Sequence, residues 1–376
     1  MVNVAVLFGG KSCENEISIL TGVFAYNLID KTKFSPLPVY IHTDGKWYTS
    51  ERMNDPDTFK NKDFRSFEEV VFLDGTAYVR KGKKGNIKLI KKKKIDVALN
   101  CCHGGLGEGG GVSALMLLAG IPIASPDIAP SAVFLDKTLT KIVAKGLGVP
   151  TVDYLKVGES DYKKRGAFLL KNIGTRLGFP VVVKPARLGS SIGITVAENE
   201  EEAKIALEAA FALDDRVLIE KFLTKKRDIN CAAYTLKGEI VLSEPEEASC
   251  GDGIYSFSDK YIKPKERTLK TGALSKETRE KIRSYTRTLY KRMGMKGVVR
   301  MDFLLSENKL YLGEVNTVPG SLAYYLFCER LTDAKTFFTD LIEEGLKKDD
   351  EKQILTTGVL HTVKSGSKRG NFAVRL

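Results

Sequence analysis

The first 125 residues alternate apolar, strand-like runs with helical segments, and this alternation limits the fold more than any other feature of the chain. Val2–Gly9 is apolar apart from Asn3 and ends in glycine, whereas residues 16–29 carry apolar side chains at helical spacing. Strands that alternate with helices over short connections predict a parallel sheet. Such a sheet binds ligands beyond the carboxyl ends of its strands. Two of these ends, residues 9–14 and 103–111, are polar and rich in glycine.

The rest of the chain changes to paired strands and longer helices. Residues 178–196 read as a strand, a short loop of glycine and serine, and a second strand, a pattern typical of a hairpin. Because 376 residues exceed what one small core accommodates, two or three domains are expected. We predict an α/β domain at residues 1–125, mixed α and β domains at residues 126–219 and 220–350, and a basic tail at residues 351–376.

The net charge of +12 is concentrated in two short stretches. Residues 80–94 hold nine lysines and arginines, residues 361–376 hold four, and neither stretch contains an acid. The remainder is close to neutral, so no basic surface covers the whole protein. A solvated hairpin and a loose tail explain the two stretches, and a patch that binds a polyanion is the alternative. We expect no nucleic acid as partner.

Cysteine and histidine are sparse. The six cysteines form no CxxC pair and there are three histidines, so we expect no zinc site. Scattered cysteines in apolar contexts fit small buried side chains in a reducing compartment, which predicts a cytoplasmic protein. No run approaches the ~18 apolar residues of a membrane span, so no membrane partner is expected.

Two known nucleotide signatures fit poorly. The P-loop pattern GxxxxGK[ST] is absent. GxGxxG occurs at residues 105–110, between a strand and a helix, with Asp127 further on. However, Glu108 would place a carboxylate where a pyrophosphate sits, so a dinucleotide site is the weaker interpretation.

A better phosphate site is the run Gly-Ser-Ser-Ile-Gly at residues 189–193. Small residues allow backbone N–H groups to converge on an anion, and serine hydroxyls add donors. Lys184 on the preceding strand supplies a positive charge for a phosphate. A simple tight turn is the alternative.

Two strand-like runs near the C-terminus carry polar side chains in a regular pattern. Arg300 and Asp302 lie two residues apart in one run, and Glu314 and Asn316 are spaced alike in the next. Period two puts each pair on one face of its strand. If Asp302 stands opposite Glu314, with residues 306–310 as the connection, all four groups share a face. Two carboxylates and an amide suit Mg²⁺ on nucleotide phosphates, and Arg300 would face developing negative charge. An ordinary charged sheet face is the alternative.

In this combination and order, the chain resembles the D-alanine–D-alanine ligases of the ATP-grasp superfamily. The resemblance reaches to about residue 348, and the order and spacing of its landmarks make it specific. It implies a three-part ATP-grasp fold with an N-terminal parallel α/β domain, and ATP between the central and C-terminal domains. The matching segments are residues 4–18, 103–108, 119–140, 178–193, 217–223, 260–261 and 297–320.

The reaction implied by the resemblance joins two D-alanine molecules for the synthesis of a peptidoglycan precursor. ATP converts the first D-alanine into an acyl phosphate, which the amine of the second attacks to give the dipeptide, ADP and phosphate. Little covalent chemistry then falls to the protein, so positioning and charge stabilisation dominate.

The nucleotide site implied by the resemblance draws on several parts of the chain. It includes two lysines for the phosphates, two serines of the phosphate loop, a strand segment for adenine and an aspartate for ribose. A further lysine, on a mobile loop at about residues 250–264, would reach the γ-phosphate while the loop excludes water. These residues are Lys137, Lys184, Ser190, Ser191, Glu220, Lys221, Leu223, Asp228 and Lys260.

The resemblance also implies the residues that act on the amino acids. Glu14 would anchor the ammonium of the first D-alanine and would be linked by hydrogen bonds to Ser190 and Tyr261. Arg300 and the N–H of Gly320 would form an oxyanion site.

Further substrate contacts are implied for His103, Tyr325 and Leu326. Asp302, Glu314 and Asn316 would bind two Mg²⁺ ions, with Mn²⁺ as a substitute. A homodimer formed through the N-terminal part is expected.

Two segments depart from the family pattern. The family usually reads GEDGxxQG, but residues 107–114 have lost an aspartate, at Gly109, and a glutamine, at Ser113. Tyr325 stands where the family usually has a serine that receives the carboxylate of the second substrate. We therefore expect an intact ATP half and an altered acceptor half.

The alternatives to D-alanine–D-alanine ligation are a D-Ala–D-X ligase, another ATP-grasp carboxylate–amine ligase, and a sensor of nucleotide or amino acid without catalysis. A basic nucleic-acid binder is the weakest of them. Retention of Arg300 and the acidic pair argues against a sensor, which has no use for an oxyanion stabiliser.

Overall fold

A computed structural model describes residues 1–60, 64–82, 85–248 and 274–347. The predicted basic tail and the predicted site residues Lys260 and Tyr261 lie outside these ranges. The strands are β1 Val2–Gly9, β2 Phe34–Ile41, β3 Trp47–Thr49, β4 Glu68–Leu73, β5 Thr76–Lys81, β6 Lys88–Lys94, β7 Val97–Asn100, β8 Tyr154–Gly158, β9 Val181–Pro185, β10 Thr195–Ala197, β11 Arg216–Lys221, β12 Arg227–Leu236, β13 Glu239–Leu242, β14 Glu246–Glu247, β15 Val299–Ser306 and β16 Lys309–Asn316. The helices are α1 Asn15–Leu28, α2 Gly105–Glu108, α3 Gly111–Leu118, α4 Ile128–Leu135, α5 Lys137–Gly146, α6 Glu159–Leu177, α7 Glu200–Phe211, α8 Lys276–Arg292 and α9 Leu331–Gly345, with 3-10 helices at Pro56–Phe59 and Gly320–Leu326.

The first sheet has the strand order β6-β5-β4-β3-β2-β1-β7. The predicted parallel pairing is confirmed for β1, which pairs in parallel with both β2 and β7. The strands from β2 to β6 pair antiparallel, so the sheet is mixed. A short turn can join only antiparallel neighbours, and β4 and β5 are separated by two residues.

β1 is apolar from Val4 to Gly9 because both faces of the first sheet are covered at these residues. Val4, Val6 and Phe8 pack in one core together with α1 and α9. Ala5 and Leu7 face the opposite core, which α3 completes. Alternate residues of a strand point to opposite faces, so a strand buried on both sides has no polar positions.

The second sheet has the order β10-β9-β11-β8, and α6 and α7 pack on it. β9 and β10 pair antiparallel around the loop at residues 189–193, which confirms the predicted hairpin. β11 pairs with β9 so that Lys184 stands opposite Leu218, and Glu220 lies two residues further along. Lys184 and Glu220 therefore emerge on the same face of this sheet.

The third sheet has the order β13-β12-β15-β16, with β14 also paired to β12. Asp302 is paired with Glu314, and Arg300 with Asn316, as the period of two predicts. The connection is shorter than the predicted residues 306–310, because Ser306 pairs with Lys309 across a two-residue turn. The register shift that follows Asp302 makes Gly313 the extra residue of β16.

The predicted domain boundaries stay a prediction. The boundary at residue 219 falls inside β11, which belongs to the second sheet. In the part of the chain that the structure describes, no helix is long and apolar enough to cross a membrane.

Candidate active site

A cavity of about 800 Å³ lies where residues of all three sheets and their flanking loops meet. Its walls include most of the polar residues that the sequence singled out. Those described as lining it are Glu14, His103, Lys137, Lys184, Ser190, Ser191, Glu220, Lys221, Leu223, Asp228, Arg300, Asp302, Glu314, Asn316, Gly320 and Tyr325. The sequence pattern therefore identified groups from distant parts of the chain that converge in space.

Helix α5 carries Lys137, which lines the cavity, and Lys141, which pairs with a residue that lines it. The helix starts after Asp136, whose carboxylate accepts hydrogen bonds from Thr138 N at 2.8 Å and Leu139 N at 3.3 Å. Such a cap stabilises a helix by about 1 kcal/mol. Lys137 donates to Leu188 O at 2.6 Å and lies 3.8 Å from the Glu314 carboxylate. Lys141, one turn later, is completely buried.

The Glu220 carboxylate is held between two lysines. One oxygen pairs with the ammonium of Lys141 and the other with that of Lys184. Burial alone would raise the pKa of Glu220, but the two lysines outweigh it and lower the pKa to about 2. Burial lowers the pKa of Lys141, whereas Lys184 has a raised pKa because Glu220, Glu314 and Asp228 outweigh its burial. Lys184 therefore faces a larger share of the negative charge of the cavity than Lys141.

The loop at residues 189–193 reaches across to the start of α1. Ser190 donates a hydrogen bond to the buried Glu14 carboxylate. Ser190 and Ser191 have φ values of 53° and 59°, in the left-handed region that non-glycine residues seldom adopt. A Cβ at Gly189 would lie 2.5 Å from Glu14 Oε2, so only glycine fits this close approach. The loop thus contacts the residue predicted to hold the amino acid.

Strands β15 and β16 present their polar groups to the same cavity. Arg300 donates two hydrogen bonds to Asp302, from Nε and Nη2, both at 2.7 Å. Asn316 Nδ2 donates to Asp302 Oδ2 at 3.0 Å. Although burial opposes its charge, the carboxylate of Asp302 raises the pKa of Arg300 far above its ordinary value. The guanidinium is therefore a fixed positive charge with a defined orientation.

His103 joins the first sheet to the segment after β16. Its Nδ1 lies 2.7 Å from Val318 O, and its Nε2 lies 2.7 Å from Thr21 Oγ1. Burial, with the nearby charge of Arg300, lowers the pKa of His103 to about 4. A neutral imidazole here donates from Nδ1 to the carbonyl and accepts from the Thr21 hydroxyl at Nε2. Both ring nitrogens are thus engaged within the protein.

Glu108 is a half-buried residue whose carboxylate lies near Glu14 in the same cavity. Its Oε2 accepts from Gly104 N at 2.8 Å, and Oε1 lies 3.4 Å from Val318 N. Burial and the charge of Glu14 raise the pKa of Glu108 to about 7. Glu108 thus lines the same cavity as Glu14.

The segment after Gly320, which lines the cavity, has an unusual backbone. Ser321, Leu322 and Ala323 follow Gly320 with φ values of 51°, 51° and 49°. Three consecutive non-glycine residues in this region cost of order 1 kcal/mol each, and such strain concentrates at functional sites. The turn carries Tyr325, whose hydroxyl accepts a hydrogen bond from Arg300 Nη1 at 3.1 Å.

Comparisons with known proteins agree with one another. The sequence models described as D-ala D-ala ligase N-terminus and D-ala D-ala ligase C-terminus match residues 3–126 and 143–347. A D-alanine–D-alanine ligase of Thermosipho africanus is 34% identical over 334 residues, which cover 87% of this chain and 88% of that protein. One of Caldicellulosiruptor bescii is 33% identical, with 93% and 96% covered. The chain belongs to the D-alanine–D-alanine ligase family.

Solved structures of this family share the fold. The D-alanine–D-alanine ligase of Helicobacter pylori superposes with a TM-score of 0.74 at 29% identity, and the match covers 92% of this chain and 98% of that one. The VanG D-Ala:D-Ser ligase of Enterococcus faecalis, at 24% identity and a TM-score of 0.72, supports the fold alone. The predicted three-part ATP-grasp architecture, of α/β and α+β type, is confirmed.

ATP and Mg²⁺ are the general requirements of D-alanine–D-alanine ligases, and the donor chemistry of this cavity fits a hard cation. Asp302, Glu314 and Asn316 offer carboxylate and amide oxygens from one face of two paired strands. Within the described ranges no group of three or more His, Cys, Asp or Glu side chains is arranged for a metal ion. If these residues hold Mg²⁺, the amide of Asn316 would have to act as a ligand, and phosphate oxygens would have to supply others.

Not every predicted site residue of the ligase lies at the cavity. Leu326 packs against the core shared by α1 and α9 rather than lining the cavity, because the 3-10 helix turns it inward. Tyr261 and Lys260 fall outside the described residues. The roles assigned to the other residues stay predictions, although their proximity is now observed.

Two residues at this site were not singled out by the sequence as functional. Lys141 follows Lys137 by four residues on α5 and reads as an ordinary solvated helix lysine. The i,i+4 spacing placed both lysines on one face and is the only signal that could have found it. Glu108 was noted only as an obstacle to a pyrophosphate, and its burial beside Glu14 depends on the fold.

Proposed function

We propose that the chain catalyses the ATP-dependent ligation of two D-alanine molecules to D-alanyl-D-alanine, for peptidoglycan precursor synthesis. Membership of the ligase family supports the reaction. One observation carries the proposal: a single cavity collects Lys137, Lys184 and Ser190 at one end, the acids of β15 and β16 beside them, and Glu14 within reach. These are the charges that an ATP, its cation and an amino acid require.

The first step activates a carboxylate, which is a poor electrophile. A carboxylate oxygen of the first D-alanine attacks the γ-phosphorus of ATP, the bond to the bridging oxygen breaks, and ADP leaves with the electron pair. Lys137 and Lys184 neutralise the phosphate oxygens, which is where charge accumulates. Mg²⁺ held by Asp302, Glu314 and Asn316 would screen the phosphates further.

The second step forms the peptide bond. The amine nitrogen of the second D-alanine attacks the acyl carbon, the carbonyl oxygen becomes an oxyanion, and phosphate departs while the amine loses a proton to solvent. Arg300 and the N–H of Gly320 line the cavity where the oxyanion would form. Because Asp302 and Tyr325 already hold three nitrogens of Arg300, its charge needs no reorganisation during the step.

Glu14 positions the first amino acid. A buried carboxylate attracts an ammonium strongly, and Ser190 fixes its orientation from the phosphate loop. The ammonium of the donor would then lie between Glu14 and the nucleotide, which brings its carboxylate toward the γ-phosphate. The finer expectations of two Mg²⁺ ions, Mn²⁺ as a substitute, a homodimer and a cytoplasmic location belong to this proposal.

An ADP-release assay tests the proposal. Purified chain with ATP and Mg²⁺ should release ADP when D-alanine is added and should not do so with L-alanine, and mass spectrometry should detect D-alanyl-D-alanine. Excess EDTA should abolish turnover, and added Mg²⁺ or Mn²⁺ should restore it.

A screen of second amino acids, with D-alanine as donor, defines the acceptor. D-alanine should give the highest rate. Absence of turnover with every pair of D- and L-amino acids would refute ligase activity, whereas a strong preference for another acceptor would revise the substrate only.

A further inference from the structure

The buried ion cluster of Lys141, Glu220 and Lys184 contains one more positive charge than negative charge. Lys141 has no exposed side-chain surface, Glu220 has 3% exposed, and Lys184 has 19%. Glu220 and Lys184 line the cavity, whereas Lys141, on α5, pairs with Glu220 without being among the residues that line it. The two lysines therefore share one carboxylate while differing in access to a ligand.

Lys141 is fixed in place by the fold. Its ammonium lies 3.4 Å from Leu312 O on β16, besides its ion pair with Glu220 on β11. Leu312 directly precedes the bulged Gly313 and the acidic Glu314. Lys141 thus ties the carboxylate of the second sheet to the backbone of the third, next to the predicted cation ligands.

Nucleotide binding would change the hydrogen-bond partners of Lys184 in this cluster. If Lys184 is to contact a phosphate, it has to leave Glu220 or share its hydrogen bonds with the ligand. A buried carboxylate that loses its partner is destabilised strongly, which would hold Lys184 back. With Lys141 still paired to Glu220, the carboxylate stays neutralised when Lys184 turns toward the phosphate.

We propose that Lys141 is a positioning residue for nucleotide binding: it neutralises Glu220 permanently and so releases Lys184 for the phosphates. The inference rests on the proposed nucleotide site and extends it to a residue that never touches ATP. It predicts that loss of Lys141 weakens the binding of phosphates rather than that of the adenosine moiety.

Isothermal titration without D-alanine tests this separation. The probes are Mg²⁺·ADP and adenosine, and the variant is Lys141→Met, which keeps an unbranched side chain, one atom shorter, and removes its charge. We expect ADP affinity to fall tenfold or more, while adenosine affinity changes less than twofold. The matched control is Lys145→Met, an exposed lysine one turn further along α5, which should leave both affinities unchanged.

A double-mutant cycle with Glu220→Gln guards against a merely structural effect. In that background no buried carboxylate competes for Lys184, so adding Lys141→Met should change ADP affinity less than twofold. If Lys141→Met alone does not fold, comparing Glu220→Gln with the double variant still tests the inference, because the double variant leaves no unpaired carboxylate and a tenfold difference in ADP affinity between the two would overturn it. Thermal unfolding of each variant reports folding.

Several results would overturn the inference. Equal weakening of ADP and adenosine would assign Lys141 a structural role, and no weakening would assign it none. A tenfold effect that persists in the Glu220→Gln background would exclude Glu220 as the intermediary. Failure of the wild-type chain to bind any nucleotide would refute the proposed function as well, whereas normal ligation without coupling in the cycle would refute only this role of Lys141.

Discussion

The two halves of the cavity are built from different kinds of structure. In the half proposed to bind the nucleotide, Lys184, Glu220, Asp302 and Glu314 stand on regular strands, where the backbone ladder sets the direction of each side chain. In the half proposed to bind the amino acids, Glu14 and Gly320 lie at element ends and Tyr325 follows the left-handed turn at residues 321–323, whereas Arg300 stands on β15. Strand positions are fixed by local geometry, whereas loop positions depend on hydrogen bonds between distant segments. The first half is therefore readable from spacing, and the second is where family members can diverge.

The largest expected effect tests the strand-built half. Asp302→Asn removes one oxygen-donor charge of the predicted Mg²⁺ site and the charged partner of Arg300. ADP release with D-alanine should fall on the order of 10³-fold. Glu307→Gln, an exposed acid on the turn of the same hairpin, is the matched control and should keep full activity. Steady-state ADP release measures the activity. If Asp302→Asn kept full activity, β15 and β16 would not form the proposed Mg²⁺ and nucleotide site.

The next prediction tests whether the use of D-alanine can be impaired without impairing the binding of ATP. Glu14→Gln keeps an acceptor for Ser190 but removes the charge that would attract the ammonium. We expect kcat/KM for D-alanine to fall about a hundredfold. The KM for ATP should stay within about twofold, since Lys184 and the acids of β15 and β16 are untouched. Initial-rate kinetics measure both constants, and Glu16→Gln, at an exposed acid nearby, is the control. If Glu14→Gln impaired the use of D-alanine and of ATP equally, the two halves would not be separable.

A third test concerns stability in the amino-acid half. The pKa of Glu108 is raised from the ordinary 4.5 to about 7, so between these values the folded chain holds a proton that the unfolded chain releases. The free energy of unfolding should therefore fall as pH rises from 4.5 to 7, by up to ~3 kcal/mol. Glu108→Gln should flatten this dependence, as denaturant titrations across the range would record. Parallel curves for the variant and the wild type would show that Glu108 is not the group responsible.

The smallest effect concerns the tyrosine that departs from the family pattern. Tyr325→Phe removes the hydroxyl that accepts from Arg300 Nη1. A hydrogen bond to a charged group contributes about 1.5 kcal/mol, so the KM of the acceptor D-alanine should rise about tenfold, with kcat less affected. Tyr324→Phe on the neighbouring ring, which packs against Phe24, is the control. No change with any acceptor would mean that Tyr325 fills space without binding substrate.

The features that could be predicted from the sequence lie mainly on regular strands, and those that could not lie mainly on turns and in tertiary contacts. The pairing of Asp302 with Glu314 was predictable because a strand has a strict period of two. The bulge at Gly313 was not, because an extra residue leaves no periodic signal. The antiparallel strands of the first sheet were missed, since apolar runs do not record strand direction. The burial of Lys141 and the left-handed turn at residues 321–323 arise from tertiary contacts that no local pattern encodes.

The close approach of Gly189 to Glu14 has a consequence for variation in this chain. Because a side chain at residue 189 would collide with the Glu14 carboxylate, an added methyl group there would displace the residue proposed to anchor the amino acid. If the proposed roles hold, a substitution in the phosphate loop would be measured as poor recognition of D-alanine. The requirement for glycine at this position would then come from the smaller substrate, although the residue belongs to the loop proposed for the larger one.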